Sequence, residues 1–145
     1  MATVYAAVVP EGFLGGQPPV DVAARAERFR EMMADPTAAS WVLEDDGQVV
    51  GEATVTSRHR GVLSLGMALL PQARGRGGGR ALIGAIIEHA RQAGAHKLDL
   101  EVWTDNARAI GLYAAMGFEV EGLRRDHYRR QDGTLRSTLI MALRL

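Results

Sequence analysis

The segment Leu69–Ala90, "LLPQARGRGGGRALIGAIIEHA", sets four glycines and three arginines in its first twelve residues and then runs without a break into an amphipathic helical pattern. A nucleotide P-loop would need G-x-x-x-x-G-K-[ST], and no Lys-Ser/Thr ending is present. A dinucleotide fingerprint G-x-G-x-x-G fails too: counted from Gly75 the sixth residue is Arg80, and from Gly77 it is Leu82. Arg-Gly segments that bind RNA are repeated and disordered, whereas this one occurs once between a strand and a helix. The local physics that remains is a turn whose successive N–H groups converge and whose helix adds its positive end. Arg74, Arg76 and Arg80 add charge, which makes a site for a pyrophosphate built from main chain. A plain strand-to-helix turn with solvated arginines would use the same glycines, and the segment alone leaves both readings open.

Working outward, the helix runs from about Gly79 to Gln92 with Gly94 as its C-cap. "KLDLEVW", Lys97–Trp103, alternates Leu98, Leu100 and Val102 against Asp99, Glu101 and Trp103, the pattern of a strand. A short helix follows from about Asp105 to Met116, capped by Thr104 or Asp105 and stopped by Gly117. "GFEVEGLRR" and "TLRSTLIMALRL" read as a last hairpin across "DHYRRQDG". Upstream, Ser40–Leu70 reads as a three-stranded antiparallel meander with turns at Asp46-Gly47 and "RHRG". Asp21 caps a helix whose Val22, Ala26, Phe29 and Met33 are helically spaced. The first twenty residues, broken by Gly12, Gly15, Gly16, Pro18 and Pro19, read as loop with one short strand. The expectation is one mixed α/β domain over residues 1–145, mainly antiparallel, flanked by helices.

Composition narrows the chemistry. Seventeen basic and seventeen acidic residues cancel, so no global field draws the chain to nucleic acid or to a membrane. The absence of cysteine excludes disulfides, thiolate metal sites and a cysteine nucleophile. No apolar run approaches the ~20 residues that span a bilayer, and the start lacks a signal peptide's basic region, so a cytoplasmic protein without a bound metal is expected.

Two motifs together carry a family resemblance. Arg74, Gly77 and Gly79 match Q/R-x-x-G-x-G/A after a strand, and Asn106, Ala109-Ile110, Leu112-Tyr113 and Gly117-Phe118 stand in the order and spacing of a second signature. In this the chain, from about Trp41 to its end, resembles the GNAT superfamily of N-acetyltransferases, and is similar to its ribosomal-protein alanine and L-amino-acid N-acetyltransferases. The resemblance implies acetyl-CoA as co-substrate, bound by Arg74, Gly75, Arg76, Gly77, Gly78, Gly79 and Arg80 at the pyrophosphate and by the strand Met67, Ala68, Leu69 along the pantetheine arm, with Asn106 fixing loop or cofactor. It implies a splayed central strand there, Tyr113 as the acid that protonates the leaving thiolate, and a Glu at the place of Glu101 as base; Glu52, His59 and His127 are held in reserve.

The chain departs from the family pattern at Gly78, usually a bulky aliphatic, and at its start, where only one helix is evident before Trp41. The resemblance implies transfer of acetyl to a primary amine of an amino acid, peptide N-terminus or other small molecule. The basic hairpin Leu123–Gly133 would favour an acceptor bearing a carboxylate. A non-catalytic acyl-CoA-binding module is the first rival reading, and an RNA-binding protein the second. A homodimer through the last strands is compatible with either enzyme or module.

Overall fold

The computed structural model describes residues 1–145. In chain order the elements are α1 (Ala2–Val8), α2 (Val22–Met33), β1 (Ala39–Asp45), β2 (Gln48–His59), β3 (Val62–Leu69), α3 (Gly78–Gln92), β4 (Lys97–Trp103), α4 (Ala107–Ala115), β5 (Glu119–Arg129) and β6 (Leu135–Arg144). They form a single six-stranded sheet in the order β1-β2-β3-β4-β6-β5. Every neighbouring pair is antiparallel except β3 and β4, whose parallel ladder covers only Val62↔Lys97, Leu63↔Leu98 and Ser64↔Asp99. This is the expected α+β architecture. No helix is long and apolar enough to cross a membrane.

The start of the chain corrects the sequence reading. Residues expected as loop with one short strand form α1 and no strand, and Val4 and Val8 of α1, four apart on one face, are buried against Ala68 of β3. Pro10 and Gly12 mark the end of this helix through a 3-10 turn, Val9–Glu11, closed by Gly12 in the left-handed region at φ +79°. Two helices therefore precede Trp41. The second is where its cap places it: the Asp21 carboxylate accepts from the Ala24 N–H at 2.9 Å.

Alternation along each strand sorts the sheet into two faces. Ala53 and Val55 of β2, Leu63 and Leu65 of β3, and Leu98, Leu100 and Val102 of β4 join Leu82, Ile83 and Ile86 of α3 and Tyr113 of α4 in the main core. Full burial of each of these isoleucines is worth about 1.5–3 kcal/mol, which fixes α3 on that face. The opposite face carries α1.

Two boundaries differ from expectation. Asn106, not Thr104 or Asp105, caps α4: its side chain accepts from the Ala109 N–H at 3.3 Å and its carbonyl from the Ile110 N–H at 3.0 Å. Asp105 is instead held by Arg136 at 2.5 and 2.7 Å. The last hairpin is longer than read, because β5 continues through a bulge between Arg124 and Tyr128 and the turn closes only at Arg130–Thr134. Asp126 takes φ +48° in that bulge, its N–H donating to the Ser137 hydroxyl at 2.9 Å.

Candidate active site

Past Ser64 and Asp99 the ladder between β3 and β4 stops, and a cavity of about 880 Å³ lies there. Its wall draws on both faces of the sheet: Glu52, Gly66, Ala68, Glu101 and Trp103 from one, Leu65, Met67, Val102 and Tyr113 from the other. Backbone polar groups alternate along a strand. The Leu70 N–H bonds the Val50 carbonyl of β2 at 2.9 Å, so Ala68 shares that direction while Met67 and Leu69 turn their N–H and C=O toward the gap.

The Gly-rich turn stands at one end of the cavity. Gly75 and Gly77 hold φ +73° and +87°, which a side chain would strain. Gly77 is the N-cap of α3 and no side chain caps that helix, so the amides of its first turn have no partner within the chain. Gly75, Gly77, Gly79, Arg74 and Arg80 line the cavity; Arg76 and Gly78 do not. Arg76 pairs with Asp45 at 2.6 Å. A Cβ on Gly78 would press on the end of the Leu43 side chain of β1, which would have to turn aside. The Arg74 guanidinium donates to the Leu69 carbonyl (3.0 and 2.7 Å) and bidentately to Glu11 (2.7 and 2.9 Å), bracing the end of β3 to the turn after α1.

Tyr113 is buried, and desolvation pushes its phenol up to about 12, so the hydroxyl stays protonated at any ordinary pH. Glu101, across the cavity, is committed to a network: its Oε2 accepts from the Tyr128 hydroxyl at 2.7 Å and from Thr138 at 3.1 Å, and its Oε1 pairs with Arg124 at 3.2 Å. Burial, reinforced by the bond to Glu101, raises Tyr128 as well. Asn106 lines the cavity as the cap of α4. His59 and His127, held in reserve, do not reach the cavity; Glu52 does.

The sequence reading missed the wall that the N-terminal segment supplies: Tyr5, Glu11, Phe13, Leu14 and Gly15, with Arg25 from α2 and Arg108 from α4. The only available signal was Val4 and Val8 at helical spacing. Arg130 of the basic hairpin and Arg136 beyond it hold this wall. Arg130 donates to the Gly15 and Gly16 carbonyls at 3.1 and 3.0 Å, and Arg136 to the Gly12 carbonyl. Trp103 is 4% exposed on a central strand, with Arg136 over its ring at 4.4 Å and Tyr128 edge-on at 5.2 Å.

Comparison with known proteins places the fold and the family. In solved structures, the chain superimposes on the ribosomal-protein-alanine N-acetyltransferase of Brucella melitensis with a TM-score of 0.89 and 27% identity over 99% of this chain and 91% of that one. A phosphinothricin acetyltransferase of Sinorhizobium meliloti, solved in complex with acetyl-CoA, shares the fold (TM-score 0.87, 24% identity, 99% and 80% covered). The ribosomal protein bS18-alanine N-acetyltransferase of Escherichia coli is 39% identical over 77 residues, 53% of this chain and 51% of its own length. An uncharacterized N-acetyltransferase of Mycobacterium tuberculosis is 34% identical over 72% of this chain and 68% of its own. The chain thus spans between about half and two thirds of these curated relatives' length. Residues 9–118, which include both the glycine turn and the helix that carries Tyr113, match the model of the acetyltransferase (GNAT) family, and the chain belongs to that family.

Proposed function

We propose that this GNAT acetyltransferase, a single domain over its 145 residues, moves the acetyl group of acetyl-CoA to a primary amine by direct attack. The observation that carries the reading is one continuous cavity joining the glycine turn of α3, the unpaired backbone of β3 and the Tyr113 phenol. A chain of donors suits the co-substrate at each level. The free amides at α3, with Arg80 beside them, fit the pyrophosphate. Met67 and the N–H of Leu69 fit the pantetheine amides, as an added strand would; the Leu69 carbonyl is taken by Arg74. Acetyl-CoA supplies a thioester carbon open to attack and a thiolate that leaves. Tyr113, protonated and desolvated, donates the proton that the thiolate needs.

The acceptor enters from the α1 face, where two carboxylates, Glu52 and Glu101, look into the cavity. An alkylammonium with a pKa near ~10 must lose a proton before it attacks, and a carboxylate at this place serves that need. A peptide N-terminus of the bS18 type is the acceptor that the relatives' names suggest, which goes with a cytoplasmic setting. Self-association through β5 and β6 belongs to the same proposal, since Val120, Leu123 and Leu135 are exposed there.

The test is calorimetric titration with acetyl-CoA and CoA, repeated with Gly77→Trp and Gly79→Trp. Micromolar binding that both variants abolish, followed by acceptor-dependent release of CoA thiol, is expected. Absence of binding by folded wild-type protein overturns the reading.

A further inference from the structure

Two carboxylates of the same type flank the gap between β3 and β4, and their surroundings differ completely. Glu101 has both oxygens engaged by Tyr128, Thr138 and Arg124. Glu52 is only 8% exposed, yet no hydroxyl, amide or guanidinium donates to it. No buried polar atom in the chain is shut off without a partner, so the Glu52 oxygens reach the cavity itself. A carboxylate this buried is retained at a cost unless something occupies the place beside it.

Register fixes where it points. Glu52 pairs with Ala68 across β2 and β3, and paired residues share a face; Ala68 packs under Val4 and Val8 of α1. Glu52 therefore stands on the acceptor's side of the sheet, next to the strand whose free backbone faces the gap. The charges that face it are the Met1 ammonium just before α1 and Arg25 of α2, with Glu101 across the cavity. Arg25 is laid over the Tyr5 ring at 3.8 Å, which spends its guanidinium on α1 and leaves Glu52 without an ion-pair partner.

Resting on the acetyltransferase reading above, we propose that Glu52, not Glu101, is the catalytic residue that takes the proton from the acceptor's ammonium. The ammonium gives one proton to the Glu52 carboxylate, which passes it to solvent. The freed amine forms the C–N bond at the thioester carbon as the C–S bond breaks. The thiolate takes its proton from Tyr113, and the second proton of the nitrogen restores the phenol through water. Glu101 is a positioning residue that holds Tyr128 and Arg124 against the cavity wall. Desolvation, opposed by the two positive charges, raises the Glu52 carboxyl above its usual range, which brings it closer to the ammonium it must deprotonate.

The experiment is the pH profile of kcat/KM for wild type, Glu52→Gln and Glu101→Gln. The acceptors are a hexapeptide with an N-terminal alanine and the free L-amino acids, CoA thiol release is the assay, and acetyl-CoA binding is measured in parallel. Glu52→Gln should lower kcat roughly 100-fold or more and abolish the acidic limb, with acetyl-CoA affinity and melting temperature no lower than wild type. Glu101→Gln should keep the limb and change KM or stability. Glu52→Gln turnover that retains the wild-type rate and limb, beside intact acetyl-CoA binding, overturns the assignment alone. Wild-type protein that binds no acetyl-CoA, or transfers to none of these amines, overturns it together with the functional reading.

Discussion

Removing the Arg74 side chain tests how the active site is braced. Its guanidinium makes two contacts to the Leu69 carbonyl and two to the Glu11 carboxylate, so one side chain ties the end of β3 to the turn that follows α1. The carbonyl is half-buried and faces the gap; losing a charge-assisted bond there costs about 1.5–3 kcal/mol. The ion pair is partly wet, its side chains 21% and 28% exposed, and contributes about 0.5–1 kcal/mol. Arg74→Ala should therefore destabilise the protein by about 2–4 kcal/mol, a fall in melting temperature of roughly 5–12 °C for a domain of this size. Glu11→Gln, which removes only the charge of the pair, should cost less than about 1 kcal/mol. Arg74→Lys should fall between, since an ammonium cannot reproduce the fork. Thermal melts of the three variants at one pH decide it. Equal losses for Arg74→Ala and Glu11→Gln would put the stabilisation in the ion pair, and an unchanged melting temperature in Arg74→Ala would refute the brace.

Gly77→Ala meets no neighbour but places a side chain at φ +87°, so it should cost about 1–2 kcal/mol and weaken acetyl-CoA binding without changing the fold, as melts and calorimetry would show. Gly79→Val starts from a Cβ 2.8 Å from Leu112 Cδ2, which must turn aside, and its side chain beside the helix start should weaken acetyl-CoA binding with a smaller loss of stability than Gly77→Ala. Tyr113→Phe should lower kcat by about 100-fold with KM for acetyl-CoA unchanged; because its phenol titrates only at about 12, the wild-type profile should show no alkaline fall below pH 10 from this group. Glu52→Gln should raise the melting temperature near neutral pH. The folded-state carboxyl titrates above its unfolded value, so its contribution is present at low pH and lost as pH rises through the folded value; the advantage of the variant should vanish below the ordinary glutamate range, about 4.3.

The meander, α3, β4 and the glycine turn were legible because local signals coincide there: period-2 runs between Asp-Gly and Arg-Gly turns, then a helical period closed by Gly94. α1 was not. It is seven residues long with only Val4 and Val8 buried, and it is helical because those two pack on Ala68, a partner sixty residues away. Gly78 was visible as a departure from the family pattern, but the neighbour its Cβ would meet, the Leu43 side chain of β1, is there only once the sheet and α3 are packed. The cavity wall at residues 5–15 was hidden for the same reason. Its carbonyls are held by Arg130 and Arg136 from the far end of the chain, and Arg130 belongs to the stretch that in sequence looks like an open basic rim.

The two glutamates show what residue type and alternation cannot resolve. Glu52 and Glu101 both sit in alternating strands and both turn to the same face, so sequence alone ranks them by family likeness, which favours Glu101. Strand order makes the difference. β4 has β6 beside it and β5 beyond, so Glu101 meets Thr138, Tyr128 and Arg124 and becomes part of the wall. β2 has β3 beside it and the apolar face of α1 above, so Glu52 meets Ala68 and the cavity, and nothing donates to it. A carboxylate whose lone pairs are already filled is poorly placed to accept a proton, and one kept dry with its lone pairs open is well placed. The sheet order that puts the parallel pair at the centre thus divides the labour between the two sides of the gap: a scaffold toward β6, a proton acceptor toward β2.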